Sequence, residues 1–172
     1  MVTVPSTFIY NSKTYTVTAV KGTAFQYATC TEVTLPSTCT LINAYSFSSM
    51  SSLVKLDIGG TAEIKGNGIT NCAALRDLYI GFTGGVVGTV TASIPSTMRQ
   101  TLNVHLPANS ATSDLAKSYI SNSFWITARA LLCNNELQIG DLYYRYDATK
   151  KTATMMAPYM IYGNGAPKQI GP

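Results

Sequence analysis

Charge is scarce in this chain. Acidic and basic side chains make up 12% of its 172 residues, against 46% apolar ones. That balance excludes an intrinsically disordered chain, which needs low hydropathy and high charge. It also excludes a highly charged coiled coil. The net charge of +4 reflects eight acids against twelve bases, and only Lys150 and Lys151 are adjacent. Affinity for nucleic acid scales with the phosphates neutralised on one face, so no nucleic-acid partner is expected. Long apolar runs are missing too: none approaches the ~20 residues of a membrane-spanning helix. Residues 1–15 lack the basic and apolar regions of a signal peptide.

Metal and nucleophile motifs are equally sparse. Histidine occurs once, as His105, and Cys30, Cys39, Cys72 and Cys133 form no CxxC pair. Structural zinc and a disulfide framework are not expected, and the cysteines read as small buried hydrophobes. There is no phosphate-binding GxxxxGK(S/T) motif, and Gly81 to Gly88 reads as a glycine-rich loop. No calcium loop occurs. A histidine triad needs a nucleophile and a carboxylate around the ring. Without such a frame, His105 is expected to be a solvated surface residue. The eight acids, Glu136 and Asp147 among them, read as surface charges. A glycosidase pair would need carboxyls within ~5–10 Å across a cleft. No enzyme activity and no cofactor are expected.

What the sequence does have is a repeat. Val20, Ile42 and Ile64 are 22 residues apart, as are Phe25, Phe47 and Ile69. Val33, Leu56 and Leu78 follow at 23 and 22, and so do Leu35, Ile58 and Ile80. Several columns holding one register indicate stacked units. Within a unit the period changes. Phe47, Met50 and Leu53 fall every third residue, as do Ile69, Cys72 and Leu75, which suits a short helical turn. Leu56 and Ile58 then alternate with Asp57, which suits a half-buried strand. Units of this kind must stack to bury their apolar faces, giving a solenoid. The predicted fold is an α/β repeat. It is a short leucine-rich-repeat-type solenoid of about four units, with one parallel strand per ~22-residue unit. Helical turns at 24–28, 46–51 and 69–74 would alternate with the strands; the alternative is a parallel β-helix without them. Apolar-Pro-Ser-Thr echoes at Val4, Leu35 and Ile94 mark strand ends.

The ends read differently. Residues 7–17 suggest a hairpin turning at Asn11-Ser12 that covers the first apolar layer. Ser110–Ile120 reads as a helix with Thr112 or Ser113 as candidate N-cap, and Trp125 as a plug. A second hairpin joins 141–146 to 151–156, with Tyr144 and Tyr146 on one face, packing it on a neighbouring layer. Residues 161–172 read as a Gly/Pro-rich tail. The expected division is a solenoid over 1–136 and an appended hairpin and tail over 137–172.

The units around Phe47-Ser-Ser-Met50-Ser-Ser-Leu53-Val-Lys-Leu56-Asp-Ile58 and Ile69-Thr-Asn71-Cys72-Ala-Ala-Leu75 resemble the BspA-like leucine-rich repeat family. Phe25, Phe47 and Ile69 match its anchor, Asn71-Cys72 its small pair, and Pro36 and Pro107 its terminal proline. Residues 3–20 look like its opening hairpin and 104–126 like its closing cap; 137–157 resembles the strand pair that introduces a further repeat block. The resemblance implies a bacterial surface protein that adheres to host-matrix or microbial partners and has no catalytic residues. With no signal peptide in residues 1–15, a surface location implies a chain trimmed of its leader; a virion or the cytoplasm is the alternative.

Outward strand positions supply the candidate binding face. One column reads Glu32, Lys55, Asp77 and Asn103; the next reads Thr34, Asp57, Tyr79 and His105. At ~4.8 Å between strands these make a polar strip ~15 Å long. A protein or glycan partner is expected there. The competing expectation is a structural role, as a rigid spacer or decoration in a larger particle.

Overall fold

A computed structural model describes residues 1–60, 63–80, 94–106, 128–133, 135–156, 160–163 and 166–169. The chain coils into a parallel β-solenoid of roughly three turns. One full coil comprises β5 (Glu32–Thr34), β6 (Leu41–Ile42) and β7 (Phe47–Ser48). The next comprises β8 (Lys55–Ile58), β9 (Glu63–Ile64) and β10 (Ile69–Thr70), and β11 (Asp77–Ile80) begins a third. Ahead of them, β1 (Val2–Thr3) pairs with β5 and β4 (Ala19–Val20) pairs with β6, all in parallel. After β11 come a single α-helical turn, α1 (Ser96–Arg99), and two further parallel strands, β12 (Asn103–Leu106) and β13 (Ala130–Cys133).

The columns found in the sequence are the ladders of the structure. Val33, Leu56, Leu78 and Val104 are Cα partners in succession, and all four are fully buried. Val20, Ile42 and Ile64 form a second column and Phe47 and Ile69 a third. Phe25 extends that third column, its ring stacked 5.0 Å from that of Phe47. These columns converge on one apolar interior. Its stabilisation comes from burial, about 1.5–3 kcal/mol per large aliphatic side chain.

Helical turns are not what closes each coil. Where 46–51 and 69–74 were expected to be helical, Phe47–Ser48 and Ile69–Thr70 are strands, so each unit carries three strands and not one. At 24–28 the chain forms turns without helix. The step of three arises at corners. Tyr27, Ser49 and Asn71, each 22 residues from the next, adopt left-handed φ angles of 61°, 56° and 54°. A second corner series, Thr23, Tyr45 and Asn67, has φ of 64°, 58° and 56°. One left-handed residue rotates the following side chain inward, giving a spacing of three without a helix. Single turn bonds follow, from Leu53 N–H to Met50 C=O (3.2 Å) and from Leu75 N–H to Cys72 C=O (3.0 Å). Meanwhile the corner amides bond the next coil: Tyr27 N–H to Ser48 C=O and Ser49 N–H to Thr70 C=O, both 3.0 Å.

The N-terminal hairpin forms as read. Strands β2 (Thr7–Tyr10) and β3 (Lys13–Thr16) join through Asn11 and Ser12, both with positive φ, the signature of a type I′ turn. It does not cover the first apolar layer, because both its faces are exposed. The edge positions beside β5 and β6 are already taken by β1 and β4, so the ribbon between them is displaced outward. Val4 packs on the core in its place.

Towards the C-terminus the predicted hairpin gains a strand. β14 (Glu136–Ile139), β15 (Leu142–Asp147) and β16 (Thr152–Met156) form an antiparallel sheet. Residues read as a tail contain β17 (Met160–Gly163) and β18 (Ala166–Gln169); β17 extends the large sheet antiparallel to β13, and β18 forms its edge. Tyr143, not Tyr144 or Tyr146, packs this sheet down, against Ala130 and Leu132 on the outward face of β13. The expected loop at 81–88, the helix at 110–120 and Trp125 lie outside the described residues. Among the described residues, no helix is long and apolar enough to cross a membrane.

Candidate functional site

Parallel pairing of β5, β8, β11 and β12 sets the outward residues in register. Glu32 stands beside Lys55, Lys55 beside Asp77 and Asp77 beside Asn103. In the next row Thr34, Asp57, Tyr79 and His105 are aligned likewise. The sequence-predicted strip therefore exists as a two-by-four array.

Its two halves differ. Glu32, Thr34, Lys55, Asp57, Asp77 and Tyr79 are partly exposed, over roughly 10 Å of sheet. Asn103 and His105 are buried, at 4% and 0% exposure. His105 is thus not the solvated residue expected from alternation. Alternation did turn it away from the solenoid core, but the β14–β15–β16 sheet packs over that end of the strip. Gln138 on β14 accepts a hydrogen bond from Asn103 Nδ2 at 3.2 Å.

Buried polar groups need partners, and a network supplies them for His105 Nε2 and Asn103 Nδ2, while Asn103 Oδ1 has none among the described residues. His105 Nε2 donates to Asp77 Oδ1 at 2.8 Å, and Asn103 Nδ2 reaches the same oxygen at 3.4 Å. The His105 and Tyr79 rings stack 4.0 Å apart and 6° from parallel. Lys55 Nζ lies 4.7 Å from the Tyr79 ring centroid, a cation–π contact. Burial, then the negative charges of Asp77, Tyr146, Asp57 and Glu32, push the Tyr79 hydroxyl up to about 12. Tyr79 therefore stays a neutral phenol at physiological pH. Stacking on His105 fixes its ring and leaves less of the face for a ligand.

A second feature was not foreseen. Glu136 is fully buried, not a surface charge, and both Nε and Nη2 of Arg145 donate to its Oε1, at 2.9 and 2.7 Å. Arg145 stays half exposed beside a cavity of about 500 Å³ at the turn end of the β15–β16 hairpin. Acid and base face each other only through the β14–β15 register, and β14 itself carried no clear sequence signal. Among the described residues, no group of three or more His, Cys, Asp or Glu side chains is arranged to hold a metal ion.

Compared with known proteins, the chain matches no family model, no curated protein and no solved structure.

Proposed function

We propose that this chain is a non-enzymatic binding module of a bacterial cell-surface protein, engaging a partner through the outward face of the large sheet. The observation that carries this reading is the array of Glu32, Thr34, Lys55, Asp57, Asp77 and Tyr79, aligned by backbone register on three paired strands. Pairing fixes the backbone positions of these groups, and the stack on His105 holds the Tyr79 ring. The mixed charge of the array and the covered Tyr79 ring favour a protein partner over a stacked sugar at this position. In this reading the repeat is of the BspA-like leucine-rich type, on its 22-residue period and the Phe25–Phe47–Ile69 anchor column, and the module acts in adhesion to host-matrix or microbial surfaces.

Surface plasmon resonance against a panel of matrix proteins and glycans tests the proposal. A saturable protein partner is expected, with affinity at least tenfold lower for Lys55→Glu and for Tyr79→Ala, in variants that circular dichroism shows to be folded. Unchanged affinity in both variants removes the strip as the site. A second reading, as an assembly unit in a larger particle, has its own support. Among the described residues, β1 and β4 have a strand on one side only, and an open parallel edge is a template for further pairing. Recovery of the chain in large self-assemblies, without a panel partner, favours that reading.

A further inference from the structure

The β2–β3 hairpin stands apart from the solenoid and from the strip. Every residue from Pro5 to Thr16 is exposed, so neither face of the ribbon is covered. A two-stranded hairpin is marginal in water unless something packs on it. Cross-strand register pairs Phe8 with Tyr15, Ile9 with Thr14 and Tyr10 with Lys13. Phe8, Tyr10, Lys13 and Tyr15 therefore share one face, and Ile9 lies on the other. The Phe8 and Tyr15 rings stack 5.4 Å apart. Ile9 is 76% exposed and Tyr10, next to the turn, 63%. Large apolar side chains thus reach solvent on both faces of one ribbon, and exposed apolar patches mark interaction sites. Charge around the ribbon has one sign. Residues 1–31 hold no acid, and their bases are Lys13 and Lys21. Both lysines are exposed, and neither is ion-paired among the described residues.

The two-sided character selects the partner. A protein surface or a sugar ring covers one face of a ribbon and leaves the other in water. A bilayer interface surrounds an inserted hairpin and takes up apolar groups from both faces. Tyrosine suits that zone, with an apolar ring and a polar tip. Unpaired lysines with no acid nearby in the chain are drawn to anionic headgroups. Both strands of the ribbon have an open backbone edge. Such edges are tolerated in the hydrated headgroup zone and not in the hydrocarbon core, so the insertion is shallow. At about 3.3 Å per residue, a four-residue strand spans roughly 13 Å. That length carries the turn end to the ~5–10 Å depth of other interfacial anchors. We infer that the β2–β3 hairpin docks this chain on an anionic lipid surface without spanning it. Phe8, Ile9 and Tyr10 enter the interface, and Lys13 and Lys21 face the headgroups.

Flotation of the full chain with lipid vesicles tests this. Binding is expected to vesicles of phosphatidylcholine mixed with phosphatidylserine, at least fivefold stronger than to phosphatidylcholine alone, and weakened by added salt. The double variant Ile9→Thr/Tyr10→Thr keeps strand-forming residues at two positions that do not pack on the core. It should weaken binding to the mixed vesicles at least tenfold, and Lys13→Gln at least threefold. Ile139→Thr alters an exposed apolar residue on β14 and should change nothing, as should Lys55→Glu on the strip. Phe8→Trp reads insertion directly: its added indole emission should shift to the blue with mixed vesicles, beyond any change in the parent chain. No flotation with either vesicle, equal flotation with both, or full binding by the double variant would overturn the inference. Capture of a matrix protein or glycan that the double variant loses, by a chain that binds no vesicle, would assign the hairpin to that partner instead. Because the hairpin variants leave the strip intact, the two surfaces can fail independently.

Discussion

Replacing the corner residues by glycine separates a left-handed corner from a helical turn by the sign of the effect. Tyr27, Ser49 and Asn71 fall inside the three segments whose spacing suggested helix, yet their φ angles lie between 54° and 61°. Left-handed backbone costs an ordinary L-residue roughly 1–2 kcal/mol, whereas glycine has no such penalty. Against this stands the larger entropy glycine loses on folding, about 0.5–1 kcal/mol. Ser49→Gly should therefore stabilise the chain by about 0.5–1 kcal/mol. The side chain given up is small, and the Ser49 N–H bond to Thr70 C=O is kept. With a urea m-value of about 1–3 kcal/mol/M, the midpoint should rise by roughly 0.2–1 M. Ser51→Gly is the control: Ser51 is exposed and has no positive φ. It should lower the midpoint, since only the entropy cost remains. A fall in midpoint for Ser49→Gly as large as for Ser51→Gly would refute the corner assignment and restore the helical turn.

Three further outcomes are expected. Leu56→Ala removes a fully buried side chain from the centre of its column and should cost about 3–5 kcal/mol in a denaturant melt. In an alkaline titration followed by tyrosine absorbance, one phenol should ionise near pH 12, and Tyr79→Phe should abolish that step. With the folded Tyr79 held above its unfolded value, its contribution to stability is present below about pH 10 and is lost as pH rises towards 12. A thiol reagent should modify half-exposed Cys30 in the native protein. Cys39 and Cys72 are buried, and burial pushes both thiols up, so they should react only on unfolding.

The repeat was legible from residues alone because stacking a solenoid imposes the same apolar requirement on every coil. Val33, Leu56 and Leu78 had to share a column, and strand alternation then turned Lys55, Asp57, Asp77 and Tyr79 outward. The Asn11-Ser12 turn was legible for a local reason, since its backbone suits few other residue types. Helix against corner was not legible. An apolar residue at every third position arises from either a helical turn or one left-handed residue, and Ser49 or Tyr27 carries no side-chain mark of that conformation. The fate of His105 and Asn103 lay beyond the repeat altogether. Period two decides which face of a strand a side chain leaves. Whether that face meets water or a second layer depends on contacts made by residues more than thirty positions away, such as Gln138 with Asn103. The same holds for Glu136 and Arg145, whose pairing exists only because β14 and β15 align them. Local periodicity therefore determined the coil and the direction of its side chains, and long-range packing alone decided which outward residues remain a surface.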